Sequence, residues 1–207
     1  MSSVSPRLPF NQKKRLIVVQ LGAVLAATLL VVAQPVWGDR VVTHEIVELI
    51  GAGLVVACIL GRLWSTLYIG GRKNDELVTT GPFSTTRNPL YFFSTIGAVG
   101  VGLMFGSAVV ALVLGLLTFQ IFRVTARKEA AFLSEKFGQA YETYARCTPI
   151  FWPDIGRYRD SAEVSFSPLA LRRTFFDGLY FLAIFPAIEL VEHLQSTGVI
   201  PVLLTIY

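Results

Sequence analysis

An all-α polytopic membrane bundle of about five transmembrane helices, with a tight helical hairpin and a cytoplasmic helical segment, is the architecture to which this 207-residue sequence points. Three observations carry that expectation. The chain is 53% hydrophobic and only 15% charged, with a mean hydropathy of +0.59, which a soluble core inside a polar shell does not produce. Uncharged stretches cover residues 16–36 and 89–122, each enough for a hydrocarbon layer of about 30 Å, which takes roughly 20 helical residues. The basic residues fall almost entirely on one side of the expected spans. The formal charge of +4 therefore reads as the Lys and Arg excess of cytoplasmic loops, so the bilayer is the expected partner and nucleic acid is not.

The elements follow in chain order. Arg7, Lys13, Lys14 and Arg15 precede the first apolar run, which is longer than the roughly 7–15 residues of a signal-peptide core and is expected to remain as a span over 16–36. After Gly38-Asp39-Arg40, a second span is expected over 46–69, with Glu48 and Arg62 near its ends and Trp64 and Tyr68 at the level of an aromatic belt. The 34 uncharged residues 89–122 would measure about 51 Å as one helix, so a fold at Gly106-Ser107 and two spans, 89–105 and 107–122, are expected. Gly97, Gly100, Gly102 and Gly115 would let that hairpin pack closely. The last apolar segment, 175–194, contains Pro186 and ends in Glu189, Glu192 and His193, and is read either as a fifth span or as an interfacial or re-entrant helix. With four spans before Arg123, sixteen of the eighteen Lys and Arg residues share one face, which places the N-terminus, the 70–88 loop and the 123–173 segment in the cytoplasm. The whole chain, 1–207, reads as a single membrane domain.

Two cytoplasmic stretches concentrate residues of chemical interest. In the first, Asn88 suits a helix N-cap and Pro89 the first helical position. Arg87 beside that helix start makes it either an anion-binding end or a plain capped turn. In the second, a helical projection puts Phe122, Ala126, Phe132, Leu133 and Phe137 on one face with Glu129 in their midst. A carboxylate there needs a partner, either Lys136 or a ligand group. Cys58 and Cys147 read as free thiols, and His44 and His193 form no facing pair, so no metal site is expected.

Leu77-Val78, Gly81-Pro82-Phe83 and Arg87-Asn88-Pro89-Leu90-Tyr91, followed by Glu129, Leu133, Phe137-Gly138, Tyr141, Tyr144, Pro149 and Pro153, resemble in order and spacing the isoprenylcysteine carboxyl methyltransferases and, with them, the phospholipid methyltransferases. The resemblance covers residues 60–155. It implies an integral membrane methyltransferase that binds S-adenosylmethionine on the cytoplasmic side through Leu77, Val78, Phe83, Asn88, Pro89, Leu90, Tyr91 and Glu129, with Arg87, Tyr91 and Glu129 at the reacting centre. Arg87 and the helix start would favour a carboxylate, Glu129 an ammonium or ribose hydroxyls, and Phe83 and Tyr91 the adenine or sulfonium. The chain departs from the family pattern in four places, one of them Asp75, where the family often has His before Leu77. Asn88 stands where the family has His, Ala130 where it has a second acidic residue, and Thr125 near its acceptor-binding arginine, leaving Arg123 and Arg127 as candidate substrate residues. The expected acceptor is an apolar or amphipathic carboxylate, amine or thiol. The alternatives are an NADPH-dependent membrane reductase of similar architecture, or a non-catalytic membrane module that has kept the fold.

Overall fold

The computed structural model describes residues 33–35, 41–72, 75–200 and 204–206. The architecture is a bundle of membrane-length helices, as composition and hydropathy require. Most of the span expected over 16–36 lies outside the described residues. Its last part is not helical: strand β1, Ala33–Pro35, pairs in parallel with β2, Leu204–Ile206. Pro35 disfavours the helical conformation at Gln34 before it, which suits the extended backbone of 33–35.

Helix α1 spans Val41–Ile69, five residues longer at its start than expected. A single turn, α2 (Pro82–Thr85), follows the 70–81 loop, and α3 covers Pro89–Met104. The chain reverses at Phe105-Gly106, and Ser107 caps α4, Ala108–Phe137, by accepting a hydrogen bond from the Val110 amide at 3.2 Å. The expected hairpin is therefore present, but its second limb does not stop at Phe122. Residues 123–137 contain no proline or glycine and are rich in Ala, Glu, Lys and Arg, strong helix formers, so span and amphipathic segment form one rod of 30 residues. Gly138, at φ +52°, breaks it and begins α5, Gln139–Cys147. Helix α6 covers Pro168–Ser196 and carries Pro186 in its interior.

Helices α1, α4 and α6 are long and apolar enough to cross a membrane, and α3 is a shorter apolar helix. The last segment forms a helix of crossing length, α6, which suits a fifth span and is compatible with the interfacial alternative. The core forms where α1, α3, α4 and α6 converge, around Val55, Val101, Met104, Phe105, Val110 and Ile188. Small residues make the α1–α3 seam possible, since a Cβ on Gly100 would lie 2.8 Å from the Gly51 carbonyl oxygen and one on Gly97 2.6 Å from the Cys58 Sγ. Only Gly102 and Gly115 serve the hairpin, against Ala111 and Val99; Gly97 and Gly100, expected there too, pack on α1 instead. The bundle delivers the 70–88 loop, the end of α4, α5 and the 148–167 segment to one end of the molecule.

Candidate active site

At that end the converging segments leave a cleft that opens to solvent. Six short pieces of chain wall it. The 76–78 stretch contributes Glu76, Leu77 and Val78, and α2 contributes the buried Phe83. The start of α3 and the residue before it contribute Arg87, Asn88, Pro89, Leu90 and Tyr91. From α4 come Ala126, Glu129, Ala130, Phe132 and Leu133, the face the helical projection identifies. Ile69 at the end of α1 and two tyrosines of α5, Tyr141 and Tyr144, complete it. Residues as distant in sequence as Leu77, Arg87 and Glu129 thus meet in one cavity.

The cleft's polar groups are fixed from behind. Arg87 Nη1 donates to the Tyr141 hydroxyl at 3.2 Å, with the guanidinium carbon 6.0 Å from that ring's centroid. The Arg87 Nε is buried without a hydrogen-bond partner among the described residues. Tyr144 donates to the Phe83 carbonyl at 2.7 Å. Burial pushes its phenol well above the ordinary tyrosine range, Tyr141 adds to that, and Arg87 opposes it. Tyr91 stacks on Phe122 with centroids 4.8 Å apart and planes 9° from parallel, so one face of its ring is already covered. Lys136, the structural partner weighed for Glu129, lies 4.0 Å from Asp75.

Asn88 occupies the N-cap position of α3 but makes no side-chain cap. Its Nδ2 instead donates to the Ile150 carbonyl at 2.8 Å, because the chain after α5 folds back along the 81–88 loop. Arg87 N donates to Pro149 O at 2.8 Å, Asp154 N to Thr85 O at 2.9 Å and Gly81 N to Arg159 O at 2.7 Å. Thr86 Oγ1 donates to Phe151 O at 3.0 Å, and Arg159 N to Ser84 Oγ at 2.9 Å. A strap formed by residues 149–159 therefore holds the loop that presents Phe83 and Arg87. Without a side-chain cap from Asn88, the positive pole of α3 lies beside the cleft that Pro89, Leu90 and Tyr91 line.

Arg123 and Arg127 are exposed and do not line the cleft. Arg123 lies over the Phe119 ring at 6.0 Å. The site residues absent from the sequence-based set are Ile69, Glu76, Ala126, Ala130, Phe132, Leu133, Tyr141 and Tyr144. The tyrosines carry a readable signal, an i, i+3 pair on one face of a short helix, whereas Glu76 in an irregular loop has none.

The phospholipid methyltransferase family pattern matches residues 46–140. Over nearly its whole length the chain is similar to two curated proteins. One is the nickel-cobalt-cadmium resistance protein NccN of Alcaligenes xylosoxydans xylosoxydans, 31% identical over 93% of this chain and 91% of that protein. The other is the cobalt-zinc-cadmium resistance protein CzcN of Cupriavidus metallidurans, 31% identical over 99% of this chain and 98% of that protein. Protein-S-isoprenylcysteine O-methyltransferase of Schizosaccharomyces pombe is 31% identical over 43% of this chain and 38% of its own length. No solved structure matches the chain.

Proposed function

Because the chain belongs to the membrane methyltransferase family of the phospholipid and isoprenylcysteine enzymes, we propose that it transfers a methyl group from S-adenosylmethionine to an apolar or amphipathic acceptor. The cleft at the loop end is the site we assign to this reaction. The observation that carries the reading is its donor set: the cation Arg87, whose Nε has no hydrogen-bond partner among the described residues, together with the carboxylates of Glu129 and of Glu76, the latter 3.5 Å from Arg72. An amino acid carboxylate suits Arg87 and the start of α3. An ammonium and ribose hydroxyls suit the glutamates, and Leu77, Val78 and Phe83 suit adenine. Tyr91 offers a π-face to a sulfonium. When bound, the cofactor supplies an electrophilic methyl on sulfur.

The protein's own contribution is alignment and the exclusion of water. In-line displacement at a methyl asks for a fixed approach more than for a proton acceptor. The strap and the two α5 tyrosines immobilise Arg87 and Phe83, and the Tyr91–Phe122 stack holds the start of α3 against α4. The positive-inside distribution of Lys and Arg supports a cytoplasmic location for the cleft and the N-terminus. A 2′-phosphate, as in NADPH, calls for several cations, and among the described residues that line the cleft Arg87 is the one lysine or arginine, against two glutamates; this favours the methyl donor over the reductase. The metals in the names of the two long relatives add no chemistry to these residues.

Thermal unfolding of the detergent-purified chain with S-adenosylmethionine, S-adenosylhomocysteine and NADPH tests the reading, because a ligand of the native state raises stability by mass action. Stabilisation by the two adenosyl compounds alone is expected. Stabilisation by NADPH alone would replace the methyltransferase with the reductase, and a response to none would leave a non-catalytic module.

A further inference from the structure

Arg62 lies two turns into α1 from its loop end, within a segment long and apolar enough to cross the membrane. A guanidinium at that depth is costly unless its charge and its donors are met. Arg62 Nη1 donates to the Ser94 hydroxyl of α3 at 2.6 Å, a neutral group that itself donates to the Leu90 carbonyl at 2.7 Å. Nη2 stands 3.9 Å from the Asp177 carboxylate of α6. The Arg62 Nε is buried without a hydrogen-bond partner among the described residues. Asp177 is 60% exposed, although it too lies on a helix of crossing length. This is a counter-ion held at the outer limit of an ion pair, whereas a structural arginine–carboxylate clamp is short and bidentate.

The position is as informative as the pairing. Ile69 lines the cleft, and seven residues fall only about 20° short of two full turns, so Arg62 shares its face of α1 about 10 Å deeper. Ser94 is one turn below Leu90, another cleft residue. The guanidinium thus sits beneath the membrane side of the cleft, where α1, α3 and α6 meet, with its side chain 22% exposed. Exposed Leu60 on α1 and Leu179 and Leu182 on α6 leave apolar surface on other faces of the same helices, within about one turn of its depth.

We propose that Arg62, with Ser94, takes the anionic group, carboxylate or phosphate, of a membrane-borne amphiphile, and that Asp177 is the counter-ion this group displaces. The planar fork of arginine matches either oxyanion, and the hydrocarbon tail lies along the neighbouring helices. Giving that amphiphile the role of methyl acceptor rests on the methyltransferase reading; anion binding at Arg62 does not.

The test is binding of oleate, oleoyl lysophosphatidate and oleyl alcohol to the detergent-purified full chain, as wild type, Arg62→Gln, Arg62→Lys and Asp177→Asn, with S-adenosylhomocysteine binding measured alongside. Oleate or the lysophosphatidate should bind at least about tenfold more tightly than the alcohol, and Arg62→Gln should erase that preference. Arg62→Lys, which keeps the charge without the fork, should weaken anion binding severalfold and stands in should Arg62→Gln not fold. Asp177→Asn should tighten it, the opposite of what loss of a structural ion pair would do. Oleyl alcohol binding as well as the anions, unchanged affinity in a folded Arg62 variant, or weaker binding in Asp177→Asn would overturn the proposal. Whichever anion binds identifies the headgroup, and anion binding without S-adenosylhomocysteine binding would uphold this site while removing the methyltransferase reading.

Discussion

At the scale of single residues, the cleft sorts its groups into those that touch a ligand and those that hold others in place. Glu129 lines the cavity on the apolar face of α4, so Glu129→Ala should weaken S-adenosylhomocysteine binding by at least about tenfold, the loss of a charge-assisted hydrogen bond. Unchanged affinity in a folded variant, measured by calorimetry, would remove it from the site. Tyr144 belongs to the second group, and its phenol is held above its ordinary value chiefly by burial. A raised pKa means that the neutral form is the one the fold favours. Its stabilisation is complete below the unfolded value, about 10, and is lost as pH rises through that value toward the folded one. Tyr144→Phe should therefore flatten the fall in melting temperature between about pH 10 and 11 relative to wild type. Glu129 was legible from the helical projection alone, because a carboxylate among Ala126, Leu133 and Phe137 contradicts its surroundings. Asn88 was misread, since its preference for an N-cap says nothing of the Ile150 carbonyl that reaches it from 62 residues away.

Elements are held together by two kinds of glycine, and substitution should tell them apart. Gly100 lies in the α1–α3 seam, where a Cβ would meet backbone atoms of Gly51 and Val55 at 2.8 and 3.0 Å. Gly138 terminates α4 at φ +52° with nothing within 4 Å of where a Cβ would stand. Gly100→Ala should cost about 1–3 kcal/mol through overpacking, and Gly138→Ala about 1–2 kcal/mol through backbone strain alone. Gly100→Leu should then abolish folding while Gly138→Leu remains close to Gly138→Ala, a contrast that unfolding in detergent would measure. The hairpin was readable because 34 uncharged residues exceed any single crossing. The continuity of α4 through residue 137 was not, because the change from apolar to charged composition marks where a helix leaves the hydrocarbon, not where it ends. The strap over 149–159 left no periodic signal at all, as its hydrogen bonds run through backbone and short polar side chains.

For the whole molecule, the arrangement of helices makes the loop end both the basic end and the cleft end. Cys147 is exposed there, and Cys58 is buried between α1 and α3. In a bacterial host, a membrane-impermeant maleimide should modify Cys147 in inside-out vesicles and not in intact cells, while Cys58 stays protected in both. Labelling of intact cells would reverse the orientation. Hydropathy and charge were enough to expect a membrane bundle, and the order of short motifs was enough to expect a methyl donor. They did not reveal Arg62, Ser94 and Asp177 as neighbours, since three helices separated by 32 and 83 residues must dock before the cluster exists.

The central claim, that Arg87 and its neighbours form an adenosyl-cofactor cleft, is tested most directly by calorimetric titration of S-adenosylhomocysteine into the purified wild type and Arg87→Gln proteins. One molecule should bind per chain to the wild type, and at least about tenfold more weakly to a folded Arg87→Gln. Absence of binding to the folded wild type, or equal binding to both, would contradict it.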